Sequence, residues 1–471
     1  MQLKRMMTKI QFWIVFFFVI RLIGITNPPL EKSHNWRQAS GLMIARNFLE
    51  VNNSILYPRK DDHKGLLGIV GIEFPIHNYL HYIVSEAFGY THWYGRLINL
   101  IISSLGLYFF YLLIRLLLNE RLAFYSAYIL MVSIWFSFSR KMMPDTFSIS
   151  LVFIGLYYGL RYLEESKNRN LLFYFFFATL GILAKVPASI YLVILAIPFF
   201  TKPIFTLSKG KLVIASLLII GCVYWWYFDW YLHLSRTFGI WHNAGTSMHQ
   251  GFIALIHHYL ETLEKFYFSA FQGFIFFALF LFGLVMAIKQ RNKTLLFVFG
   301  LVVIPFVLFT LKTGNIFYHH NYYSIPITPL MAIFAAFGLI YINKTKYVLI
   351  LLFIGCLESL ANQIHDFRIP AKERYKLTLE SIMDKTVPSN DWIILNHSDE
   401  NHQIMYLSHR KGWLVSNAEL EDSLAFDKMV RWGAKYIVLD KHEEKIKPLT
   451  HQTIFENADF KVMKINVKQD F

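Results

Sequence analysis

Three short clusters and one long polar stretch carry the side chains that could do chemistry in this chain. Asp145 follows Pro144 at the head of an apolar run, and Lys185 sits in Ala184-Lys185-Val186-Pro187 between two more such runs. The third cluster is Tyr318-His319-His320-Asn321-Tyr322-Tyr323, followed by Pro326 and Pro329. A carboxylate at a helix start either caps the helix, where free amides and the dipole favour negative charge, or points into a site. A lysine at a helix end either snorkels to water or holds a phosphate as a compact ammonium. His319 or His320 could donate to the same phosphate, with Tyr322 and Tyr323 alongside; the plainer reading is an aromatic belt at a membrane surface. The histidine pair lacks the one-turn spacing of a zinc site.

The polar stretch runs from Asn27 to Trp93 between two hydrophobic blocks and is read as an active-site loop. It holds Glu31, then His34-Asn35-Trp36-Arg37-Gln38, then Glu73-Phe74-Pro75. A loop that only joined two helices would need none of these groups. Glu73 is one of few acids in the loop able to take a proton from an acceptor hydroxyl, with Glu31 its rival; both could instead serve the structure, as a cap or as partners of His34 and Arg37. Two one-sided helices are expected within the loop. From Gln38 to Glu50 the stripe is Leu42, Ala45, Phe48 and Leu49 with Arg46, Asn47 and Glu50 opposite, and from Pro75 to Phe88 it is Ile76, Tyr79, Leu80, Ile83, Val84 and Ala87. Such helices lie in a membrane interface and do not cross it.

The elements that must position these groups are membrane helices. The chain has 471 residues, 55% of them hydrophobic and 16% charged, too oily a mix for a soluble protein of this length. About eleven spans are expected, at Ile10–Ile25, Tyr94–Leu116, Leu122–Phe138, Thr146–Leu163, Leu171–Leu183, Pro187–Phe200, Leu212–Phe228, Phe268–Ile288, Thr294–Leu311, Ser324–Ile342 and Tyr347–Leu360. The net charge of +15 is spread over short linkers. Those holding Arg115 with Arg121, Arg161 with Lys167 and Arg169, Lys202 with Lys209 and Lys211, Lys289 with Arg291 and Lys293, and Lys344 with Lys346 alternate along the chain, so the N-terminus is expected inside and the C-terminus outside. No basic stripe suggests nucleic acid. Cys222 and Cys356 both lie in apolar runs and suggest neither a disulfide nor a metal site. The first apolar run, after Lys4, Arg5 and Lys9, is read as an uncleaved span.

Two domains are expected: a transmembrane domain over 1–362, whose first outer loop is 27–93, and a small soluble α/β domain over 363–471. In the latter, helices fit Ala371–Lys385 and the stretch from Ser423 to Gly433, and strands fit Trp392–Leu395, Tyr436–Leu439 and Lys461–Val467. The fold class is thus an α-helical polytopic membrane protein with interfacial helices and a C-terminal α/β domain. No dinucleotide or Walker pattern is present, which argues against a nucleotide-driven pump.

An N-terminal span, a long outer loop with two interfacial helices, Pro144-Asp145, Lys185-Val186-Pro187 and Tyr322-Tyr323-Ser324-Ile325-Pro326 occur in the order that resembles the GT-C superfamily of membrane glycosyltransferases. The nearest branches are those of protein O-mannosyltransferases and lipid A aminoarabinose transferases, and the resemblance covers about Ile10 to Ile342. It implies a sugar donor on a polyprenyl phosphate, attack by an acceptor hydroxyl at the anomeric carbon with a loop carboxylate as base, and inversion. It also implies that Arg37, Lys185 and His319 or His320 meet the phosphate. Where the family shows an Asp or Asp-Glu pair after the first span, this chain has Arg37-Gln38. The base would then be Glu73, which matches the acidic position before the second loop helix, with Glu31 and Asp145 as alternatives; Asp145 matches the second family acid.

The expected partners are the lipid-linked donor, an envelope glycan, lipid or protein acceptor, and the bilayer of the cytoplasmic membrane. The sequence identifies no cofactor, and a divalent metal is either absent or held by Asp145 with another oxygen ligand. The competing class is a transporter or flippase of a lipid-linked sugar, whose ionisable residues usually sit near the midplane and not at helix ends. A lipid-linked glycan ligase or polymerase is the third class weighed.

Overall fold

The structure, a computed structural model, describes residues 7–63, 67–201, 206–239, 245–342, 344–396, 402–443 and 449–466. Lys202 and the end of the expected last strand at Val467 lie outside the described residues. The chain is mostly helical, and the apolar runs expected to be spans fall largely on helix. Among the described residues, five helices are long and apolar enough to cross a membrane: Tyr94–Leu117, Pro144–Glu165, Leu207–Phe238, Lys293–Lys312 and Thr345–Thr386. Shorter apolar helices include Ile10–Leu22, Asn168–Ala184, Ile275–Lys289 and Thr328–Tyr341. Several expected spans are interrupted; turns occupy 270–274 within Phe268–Ile288 and 325–327 within Ser324–Ile342. The run from Leu122 to Phe138 breaks at Ser133 into helices Glu120–Val132 and Trp135–Phe138, and the run after Lys185 begins as a 3-10 helix, Val186–Ala196.

The chain forms two compact units. The first, a helical unit, comprises Met1–Ile25, Arg96–Asp229 and Asn243–Phe367. Its helices close on small residues, which let backbones approach. A Cβ on Gly283 would stand 1.8 Å from the carbonyl oxygen of Phe334, and one on Gly338 2.6 Å from that of Leu279, so helices Ile275–Lys289 and Thr328–Tyr341 touch backbone to backbone. Helices Asn168–Ala184 and Leu207–Tyr224 run parallel, pinned by hydrogen bonds between the hydroxyls of Ser166 and Ser208 and of Tyr174 and Ser216, both at 2.7 Å. The outward residues of the second helix, among them Ile214, Leu217, Leu218 and Ile220, are exposed and apolar. A surface of that kind is covered by lipid in a multi-pass membrane protein.

The second unit comprises Thr26–Gly95, Trp230–His242 and Arg368–Phe471, so the first loop packs with the C-terminal residues. Its sheet has five strands, β1 (Trp392–Asn396), β2 (Gly412–Val415), β3 (Ala434–Asp440), β4 (Gln452–Glu456) and β5 (Phe460–Lys464), in the order β2-β1-β3-β5-β4. β1 pairs in parallel with β2 and β3, and β5 runs antiparallel to both β3 and β4. Gly412 is held so close to Ile393 that a Cβ would fall 1.8 Å from its carbonyl oxygen, and its φ of +155° suits only glycine. The first loop docks on this edge: the amide of Gly412 donates to the Asp61 carbonyl at 3.0 Å, and the amide of Leu414 to the Asp62 carboxylate at 3.3 Å. The expected helix from Ser423 is capped one residue earlier, by Asp422.

Both loop helices form, with their faces differently used. The first spans Asn35–Glu50, and Arg46 and Asn47, expected on its open side, are buried because each donates to Asp61 at 2.7 Å. The second spans Ile76–Phe88 and buries His77, His81 and Ser85, leaving Ile83 and Phe88 exposed. A helix that turns its polar side to the protein and its apolar side outward is matched to an interface with hydrocarbon. The rings of His77 and His81 bond to the carbonyls of Gly95 and Thr91, and burial pushes both down to about 4, so they are neutral at ordinary pH.

Candidate functional site

In the helical unit, the clusters at 145, 185 and 318–323 partly converge. Pro144 starts the helix Pro144–Glu165 with its preset φ, which puts Met143 at the cap position and Asp145 in the first turn. Asp145 is therefore not the cap. The turn before it is fixed by Asn99, whose amide donates to the carbonyls of Phe138 at 3.0 Å and Lys141 at 2.8 Å. Lys185 closes the helix Asn168–Ala184 with an extended backbone, and its Nζ lies 2.6 Å from Asp145 Oδ1 and 4.9 Å from the centre of the Tyr322 ring. Asp145 is 4% exposed, and its Oδ2 is buried without a hydrogen-bond partner. A buried carboxylate with one oxygen left open costs stability, which a structure retains where the group has work to do.

His320 and His319 divide. His320 stacks on Tyr322 with ring centres 5.1 Å apart, joining the Asp145–Lys185 side. His319 packs on Tyr318, which itself stacks on His258 at 3.8 Å. Tyr323 lies tilted against Tyr322, with ring centres 4.7 Å apart, and stacks on Phe317 within the core.

In the loop unit, Arg37 donates to Glu73 at 2.5 Å, a half-buried pair linking the first turn of helix Asn35–Glu50 to the residue before Pro75. The guanidinium places a positive charge beside Glu73. Glu31 is buried and accepts from Asn27 at 3.0 Å. His34 occupies the cap position of helix Asn35–Glu50 in the left-handed conformation, after Ser33 in the same region. Two non-glycine residues held at positive φ mark a strained entry to the helix that carries Trp36, Arg37 and Gln38. Gln38 is fully buried and Trp36 partly so.

Sequence reasoning did not single out Arg140, Lys141, Asp61 or His409. Arg140 and Lys141 stand just before Asp145 on the side expected to be outer, a basic pair against the charge rule for that side. Both are buried: Arg140 donates to the carbonyls of Ile23 at 2.5 Å and Gly24 at 2.7 Å and lies over Phe367. That misfit with the charge rule was the available signal. Asp61 and His409 gave none, since their partners lie far off in sequence. His409 bridges Glu380 at 2.7 Å and Glu50 at 3.0 Å through its two ring nitrogens, and these two bonds raise it to about 9.

No set of three His, Cys, Asp or Glu side chains converges on a metal position among the described residues, and Asp145 is engaged by an ammonium.

Residues 73–227 match the family model described as dolichyl-phosphate-mannose-protein mannosyltransferase. The fold is shared with ArnT from Cupriavidus metallidurans in the apo state, at a TM-score of 0.59 and 13% identity over 96% of this chain and 97% of that one. ArnT bound to undecaprenyl phosphate matches at 0.58 and 12% identity, over 96% and 98%. The chain has the fold of the GT-C membrane glycosyltransferases. A further match is the oligosaccharyltransferase AglB from Archaeoglobus fulgidus, in complex with an inhibitory peptide and a dolichol-phosphate, at 0.51 and 12% identity over 91% of this chain and 69% of that one. No curated protein matches the chain by sequence. The GT-C resemblance read from the motifs is borne out, and the family-matched segment contains Glu73, Asp145 and Lys185.

Proposed function

We propose that the chain is a membrane glycosyltransferase that moves a sugar from a polyprenyl phosphate to an acceptor hydroxyl, at the outer face of the cytoplasmic membrane, in envelope glycan, lipid or protein glycosylation. The observation that carries this reading is the ion pair of Lys185 with Asp145 under Tyr322, with one Asp145 oxygen open, inside the segment that matches a lipid-phosphate-sugar transferase family. The matches to ArnT with undecaprenyl phosphate and AglB with dolichol-phosphate support the class of donor. The orientation proposed has the N-terminus in the cytoplasm and the C-terminal residues outside, with about eleven spans.

In the reaction proposed, Glu73, which pairs with Arg37, accepts the proton of the acceptor hydroxyl as its oxygen bonds to the anomeric carbon. The bond from that carbon to the phosphate oxygen breaks, and the phosphate leaves with the electron pair. The leaving group is already an anion, so cations beside it contribute more than a proton donor. Lys185 and His320 are assigned to the phosphate, and Asp145 holds the Lys185 ammonium in place.

The test is loss of polyprenyl-phosphate sugars, followed by mass spectrometry, with purified protein in lipid and an envelope acceptor fraction. Lys185→Met and Glu73→Gln should each lower acceptor-dependent consumption by about 10²–10³-fold. Consumption unchanged in Glu73→Gln but lost in Asp145→Asn or Glu31→Gln would move the base to that residue. Donor crossing the bilayer without being consumed would replace the transferase reading with a flippase.

A further inference from the structure

Helices Asn168–Ala184 and Leu207–Tyr224 leave a groove of about 350 Å³ on the helical unit, well away from the candidate chemistry. Its walls are Leu172, Phe175, Ile214 and Leu218, over a floor of Ala215. Leu172, Ile214 and Leu218 are 62%, 59% and 57% exposed, so the walls are open to hydrocarbon. Its mouth is polar and carries Asn168 and Lys211. Neither side chain has an ion pair or hydrogen bond among the described residues. Arg169 stands on the same end of the first helix, Lys209 on the second is buried over Phe199, and the acids there, Glu164 and Glu165, are taken up by Arg161 and Lys167. A basic mouth over an apolar groove is complementary to a lipid with an anionic head.

We infer that this groove binds one anionic glycerophospholipid, its phosphate at Lys211 and Asn168 and an acyl chain between Leu172, Phe175, Ile214 and Leu218. The occupant is not assigned as the sugar donor because of where the groove lies. Lys185 ends the 17-residue helix that Asn168 begins, so the groove mouth and Lys185 are separated by about 25 Å along its axis. That is close to the hydrocarbon thickness of a bilayer. The lipid therefore sits in the leaflet opposite the one proposed for the reaction. That a lipid binds here rests on the membrane setting of the helices, and its distinction from the sugar donor rests on the reaction proposed above.

The test is native mass spectrometry of the full chain released from micelles loaded with phosphatidylglycerol or phosphatidylcholine of the same acyl chains. Phosphatidylglycerol should be retained about fivefold better, the gain expected of one lysine near an anionic headgroup. Lys211→Gln, a surface change that should not affect folding, should remove that preference and leave phosphatidylcholine retention as it was. Leu218→Trp, which fills the groove, should lower retention of phosphatidylglycerol. Equal retention of the two lipids, or a preference that persists in Lys211→Gln, overturns the proposal. So does undecaprenyl phosphate displacing phosphatidylglycerol at equal concentration, which would make the groove a site for the polyprenyl lipid.

Discussion

Arg46→Leu should loosen the unit that carries Arg37 and Glu73. The Arg46 guanidinium donates to Asp61 at 2.7 Å and to the Tyr406 carbonyl at 3.1 Å, and lies 4.6 Å from the Tyr406 ring centre. Both members of the pair are nearly inaccessible, with side chains 5% and 3% exposed. Their attraction outweighs the cost of burial, and Asp61 holds Arg46 well above its ordinary value. Removing the cation strands Asp61 with Asn47 as its remaining side-chain donor. Stranding one buried charge costs about 3–5 kcal/mol, on the order of 10 °C in melting temperature for a unit of this size. Replacing both partners with leucine removes the stranded charge, so the double variant should be more stable than either single one. Thermal unfolding followed by tryptophan fluorescence, with limited proteolysis of the loop, gives the numbers. If the two single costs simply add in the double variant, the pair is not coupled and the reasoning fails.

The His409 bridge predicts a pH window. Its value is raised in the folded protein, so its contribution is full below about 6.5 and is lost as pH climbs through about 9. Glu50 and Glu380 are both held low, Glu380 first by its bond to His409 and Glu50 by the same histidine against the cost of burial. Their contribution is present above about 4.5 and fades as pH falls below it. Arg46, Arg410, Lys411, Asp61 and Asp384 also face this region, but the difference in melting temperature between wild type and His409→Gln isolates the bridge. That difference should shrink between pH 7 and 10; a flat profile would refute it. Gly283→Val should separate helices Ile275–Lys289 and Thr328–Tyr341, since its Cβ would fall on the Phe334 carbonyl. The expected readout is a lower yield of folded protein, with Gly300→Val, which meets open space, as the matched control.

What was legible in the sequence was whatever repeats locally. Apolar runs gave helices ending within a few residues of where they were read, as at Tyr94–Leu117 and Lys293–Lys312, because a bilayer needs length and apolarity and little else. Motif order gave the relation to GT-C proteins, and Lys185 and Asp145 were named before their pairing was visible. The pairings themselves were not legible. Arg46 looked like a solvated face because helical periodicity does not register that Asp61, 15 residues on, folds back onto it. β2 is four residues long and buried throughout, so it shows neither alternation nor length, and its role as a dock for the first loop depends on Asp61 and Asp62.

The docking of the first loop on β2 sets a timetable. Asp62 and Leu414 are 352 residues apart, and a ribosome adding 5–20 residues per second takes on the order of 20–70 s to travel between them. During that interval the loop with Arg37 and Glu73 has no sheet edge to settle on, while helices made later are already entering the bilayer. The docking of the first loop on β2 is thus a late event in the life of the nascent chain, after most of the helical unit has been synthesised.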